Sequence, residues 1–103
     1  MLQLKESTEM QLKPEEKALA GAWKNQDGKI IKDKICERIE WLVSRHLKRI
    51  KAHSSGWDIL FEDPTDQRFW ELSYPFSHLH GGGPPTLINL EDNDARNKYG
   101  REI

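Results

Sequence analysis

Four histidines, one cysteine, a group of acids and a triple glycine are the residues of this 103-residue chain whose chemistry could exceed a structural role. His78 and His80, one residue apart and followed by Gly81, Gly82 and Gly83, look like half of a metal site. A complete site needs three or four ligands in matching geometry. The other candidates, His46, His53 and Cys36, fall in a helix end, a connector and a helix, and loop histidines that hydrogen-bond locally are the commoner outcome. Cys36 adjoins Ile35 with no glycine-rich elbow around it, so it reads as a small buried hydrophobe rather than a nucleophile. Glu62, Asp63, Asp66 and Glu71 surround one predicted hairpin and could pair as general acid and base. Asp63 and Asp66 are turn formers, however, and Glu62 and Glu71 occupy polar strand positions, so the group reads as a solvated acidic edge that can dock a basic partner.

Two further clusters invite function. Arg45, Lys48, Arg49 and Lys51 make a short basic cluster, of which Arg45, Lys48 and Arg49 would share a helical face, the basis of an alternative reading as a nucleic-acid-binding adaptor using residues 45–51. No aromatic residues interleave them. Gly81-Gly82-Gly83 invites a phosphate cradle, but Pro84, Pro85 and a predicted strand follow, where a cradle needs a helix N-terminus. The glycines and prolines specify a shaped loop instead.

The elements that position these residues follow from periodicity. Residues 1–14 carry isolated apolar residues without a period and read as a flexible tail, leaving residues 15–103 as a single domain; Pro14 with Glu15 and Glu16 favours a short helix after it. Asp27-Gly28 between Trp23 and Ile31 predicts a two-residue hairpin. Ile31, Ile35, Ile39, Leu42, Val43, Leu47 and Ile50 step by three or four and predict one long helix over about residues 33–49. After Gly56 the period becomes two, predicting a hairpin from Trp57 to Tyr74 with a turn at Asp63-Pro64-Thr65-Asp66, in which Trp70, Leu72 and Tyr74 face the core. A strand at residues 86–90 and a short helix ending at Gly100 complete an α+β domain: an antiparallel sheet packed against one long helix, with a short C-terminal helix.

Composition narrows the function classes. A net charge of −1 argues against a surface built for nucleic acid or anionic membrane. The single cysteine excludes an internal disulfide, and the sequence has no apolar run long enough for a membrane span, so the expected compartment is the cytoplasm.

Residues 69–75 (Phe-Trp-Glu-Leu-Ser-Tyr-Pro), residues 80–85 (His-Gly-Gly-Gly-Pro-Pro) and residues 95–100 (Ala-Arg-Asn-Lys-Tyr-Gly) resemble a family of bacterial immunity proteins from polymorphic toxin systems, the twenty-seventh immunity family. Upstream, residues 36–42 and 56–58 are similar to it as well, so the resemblance spans about residues 20–100. It implies a non-catalytic inhibitor without cofactor or metal. Its partner would be a cognate protein toxin, the C-terminal toxin domain of a secreted effector, bound in the producing cell's cytoplasm. The expected partner surface is Asp58, Glu62, Asp63, Asp66 and Glu71 with the loop residues His78, His80, Gly81, Gly82 and Gly83, meeting a cationic toxin. The competing reading is a small metal-binding or enzymatic domain using His78 and His80.

Overall fold

The computed structural model describes residues 9–76 and 83–103. In chain order the elements are β1 (Ala18–Ala20), β2 (Trp23–Gln26), β3 (Lys29–Lys32), α1 (Lys34–Trp41) running on into a π-helical turn (Leu42–His46), β4 (Lys48–Ala52), β5 (Ile59–Glu62), β6 (Phe69–Ser73), β7 (Thr86–Leu90) and α2 (Asp92–Tyr99). Five strands make one antiparallel sheet in the order β1-β7-β6-β5-β4, and β2 and β3 stand apart as a two-stranded arm. The fold is a small α+β domain, as the periodicities imply.

Local chemistry explains the arm and the start of α1. Asp27 and Gly28 both take positive φ, 52° and 78°, which matches the strand twist at a two-residue turn. Asp33 then caps α1: its carboxylate accepts the Cys36 amide at 2.8 Å, and that bond holds the Asp33 carboxyl below its usual range. Gly21, between β1 and β2, donates its amide to the Pro85 carbonyl, and a Cβ there would lie 2.5 Å from Cys36 Sγ. Only glycine lets the chain pass this close to α1.

The long helix expected over residues 33–49 is shorter, eight α-helical residues and five more in the π turn. The turn closes with the Leu47 amide on the Leu42 carbonyl at 2.7 Å, and Leu47 is already extended. Beyond it, Lys48–Ala52 pairs with β5 as the edge strand, with one register shift between Arg49 and Lys51. Sheet pairing overrides helical periodicity here. The same correction applies to the basic cluster: Arg45 lies in the π turn, while Lys48, Arg49 and Lys51 lie on β4 and share no helical face. The short helix expected after Pro14 is instead a turn leading into β1, which pairs with β7.

Both faces of the sheet are covered. Phe61, Trp70, Leu72 and Leu87 pack on one side against Ile39, Leu42 and Leu47, joined by Leu12 and Leu19. Leu60 and Phe69 pack on the other against Ala95 and Tyr99 of α2. Each fully buried apolar side chain contributes roughly 1.5–3 kcal/mol. Leu12 lies in the segment expected as a tail, and two arginines bind the backbone on either side of it. Arg38 donates to the Met10 and Gln11 carbonyls and to both oxygens of Glu16, and Arg68 donates to the Lys13 and Glu16 carbonyls. Beside the Arg38 guanidinium the Glu16 carboxyl is lowered to about 2.

Candidate functional site

The acidic residues singled out by the sequence do not converge. Asp58 and Glu71 meet on the α2 side of the sheet, where Lys98 Nζ lies 2.8 Å from Asp58 Oδ2 and 2.7 Å from Glu71 Oε2. The Tyr99 hydroxyl donates to the same Glu71 oxygen at 2.7 Å, within the protein interior. Burial, reinforced by the Glu71 charge, pushes the Tyr99 hydroxyl's ionisation far above its ordinary range. For Lys98 burial acts the other way, but its two carboxylate partners prevail and hold the ammonium form.

Asp63 and Asp66 sit at the β5–β6 turn. Asp63 is buried, with Oδ1 accepting the Thr65 amide at 2.8 Å and lying 3.2 Å from His46 Nε2; the His46 ring stacks on Trp41. Asp66 accepts from the backbone and side chain of Arg68. Both shape the turn, as turn formers should. Glu62 stands opposite Lys48 in the β4–β5 register. His78, His80, Gly81 and Gly82 lie outside the described residues. Gly83, at φ 75°, returns the chain so close to Phe76 that a Cβ would lie 2.7 Å from the Phe76 carbonyl oxygen.

The catalytic alternatives find little support among these positions. Cys36 is fully buried, and burial followed by the Asp33 hydrogen bond raises its thiol pKa, the opposite of an activated nucleophile. Among the described residues no group of three or more His, Cys, Asp or Glu is arranged to hold a metal ion. Among them, too, no helix is long and apolar enough to cross a membrane.

What the structure does assemble is a groove of about 430 Å³ between α1, the β2–β3 arm and one end of β5 and β6. Ile39, Ile59 and Leu72 lie at its base. Trp23, Trp57, Tyr74, Gly83 and Pro85 line it too, as do Lys32 and Glu40, which form an exposed ion pair 2.7 Å long. Trp57 is 60% exposed and Tyr74, expected in the core, is 37% exposed; Phe76, just beyond, is 50% exposed. The Trp23 indole N–H is buried with no hydrogen-bond partner among the described residues. Concave apolar surface rimmed by Trp and Tyr is the composition of a macromolecular docking site. No sequence signal sets Trp57 apart, because it continues the apolar alternation of Ile59 and Phe61, a pattern that predicts a core-facing side chain.

Fold and groove together define a small α+β domain that offers an aromatic-lined recess at the end of its sheet. Comparison with known families is specific: a model of the immunity protein 27 family matches residues 25–91. That is well over half of the chain, and the chain belongs to this family. The matched span includes α1, β4 to β6 and most of the groove, while Lys98 and Tyr99 lie beyond it. No curated protein and no solved structure matches the chain.

Proposed function

We propose that this protein neutralises a cognate protein toxin in the cytoplasm by binding it, without chemistry of its own, and that the toxin docks at the aromatic groove. The family membership supports the inhibitor role. One observation carries the placement: Trp57 and Tyr74 expose large apolar area in a recess that the buried core residues Ile39 and Leu72 also line. Leaving that area in water forfeits roughly 25 cal/mol per Å², which a partner recovers on docking. Gly83, the last residue of the loop expected to contact the partner, lines the groove.

The toxin domain encoded beside this gene provides the test. Trp57→Ala is expected to weaken its binding by at least 2 kcal/mol, about 30-fold, and to release toxin activity in co-expressing cells, with thermal stability unchanged. Unchanged affinity in Trp57→Ala and Tyr74→Ala, with loss in Glu62→Lys or Asp66→Lys, would move the interface to the acidic turn.

A further inference from the structure

The β2–β3 arm adjoining the groove is cationic, and its charge defines the partner. In the register of the arm, Trp23 stands opposite Lys32 and Asn25 opposite Ile30, so these four share the face that carries the groove-lining pair Trp23 and Lys32. The opposite face carries Lys24, Gln26, Lys29 and Ile31. Ile30 on the first face and Ile31 on the second are both exposed, and Ile35 at the start of α1 is exposed beside them in sequence. Both faces of the arm therefore present apolar area to solvent.

The arm's charges are unbalanced. Lys32 is neutralised by Glu40. Lys24, Lys29 and Lys34 have no acidic partner among the described residues, and the arm's own sequence supplies only Asp27, at the turn. Asp33 is committed to capping α1, leaving Glu37 a turn further on. In contrast, Asp58, Glu71 and Asp66, the acids expected to draw a cationic toxin, each have a basic side chain within 2.8 Å.

Resting on the toxin-binding reading, we infer that the occupant of this surface is an acidic face of the toxin. It sets an apolar anchor into the groove and reaches round the thin two-stranded arm to set carboxylates against Lys24 and Lys29 on its far face. Uncompensated cations on an arm within a Debye length of an apolar recess repel basic partners and accelerate encounter with acidic ones.

The experiment is association kinetics of the neighbouring toxin domain with the full chain at 50 and 300 mM salt. Wild type is compared with Lys24→Glu/Lys29→Glu and the neutral control Lys24→Gln/Lys29→Gln. Both positions are exposed, and thermal unfolding verifies that each variant folds. The double reversal should slow association at low salt about tenfold or more and flatten its salt dependence, with the glutamine variant between. An association rate that is unchanged or faster in the reversal overturns the inference while leaving toxin binding intact. Absence of any complex with wild type overturns the toxin reading and this inference together. Displacement of the toxin by mixed-sequence RNA, dependent on the same two lysines, overturns the acidic-protein assignment in favour of nucleic acid. A homodimer dissolved by the reversal does so in favour of a second copy.

Discussion

Removing the carboxylate of Glu71 should cost far more than its position in a polar alternation implies, because α2 is held by it. Glu71 Oε2 receives both the Tyr99 hydroxyl and Lys98 Nζ, and Lys98 reaches Asp58 as well, so one interior oxygen ties α2 to β6 and the start of β5. A hydrogen bond to a charged group contributes about 1.5–3 kcal/mol. Tyr99→Phe keeps the ring packed and leaves Glu71 paired with Lys98, so it should lose about 1–2 kcal/mol. Glu71→Ala strands the buried Tyr99 hydroxyl and leaves Lys98 with Asp58 alone, and should lose about 2–4 kcal/mol. For a domain of this size that lowers Tm by roughly 10–20 °C. The double variant strands less, so the losses should fall short of additive by about 1–2 kcal/mol. Urea unfolding followed by tryptophan fluorescence and far-UV circular dichroism measures all four corners of the cycle. A coupling below about 0.5 kcal/mol would refute the network as a unit. Ionisation gives a second check: with its folded-state pKa raised above the ordinary 10.0, Tyr99 contributes stability below pH 10 that is lost progressively above it. Its tyrosinate absorbance should emerge only with unfolding.

The remaining predictions concern the two ends of α1. Glu16, lowered from 4.5 to about 2 by Arg38, contributes stability that is complete above the unfolded value and lost as pH falls toward 2. Between pH 5.5 and 2.5 the wild type should lose roughly 1–2 kcal/mol more than Glu16→Gln in denaturant titrations, and equal losses would contradict the pairing. Gly21→Ala drives a methyl into Cys36 Sγ and the Pro85 carbonyl and should cost about 1–3 kcal/mol by thermal unfolding. Pairing it with Cys36→Ala should recover part of that loss, since the nearest obstructing atom is then gone.

What was legible in the sequence was local. The Asp27-Gly28 turn and the Gly100 terminus each follow from a few adjacent residues, and each stands where its chemistry places it. The helix was overextended because Leu47 and Ile50 keep the helical period, whereas the open edge of β5, beyond the intervening connector, claims Lys48–Ala52 as a strand. Three-residue β1 is too short to show a period, and only β7 reveals it. The acids illustrate a different failure. Alternation correctly separates Glu71 from Trp70 and Leu72, but α2 covers the second face of the sheet, so a polar position became an interior one. The groove was invisible for the same reason, being assembled from α1, the arm, β5, β6 and the approach to β7.

Cys36 gives the molecule a built-in clock. Its thiol, the chain's single one, is sealed beneath the Gly21–Ala22 passage, with Sγ 3.5 Å from the Ala22 carbonyl. An alkylating reagent therefore reaches it only when the arm's root lifts from α1, and the labelling rate counts those openings. Lifting the root also displaces Trp23, so the rate at which the thiol is trapped is the rate at which the groove loses one of its walls. Any occupant that holds the groove closed slows that clock, and the degree of slowing reads out occupancy without a label on the partner.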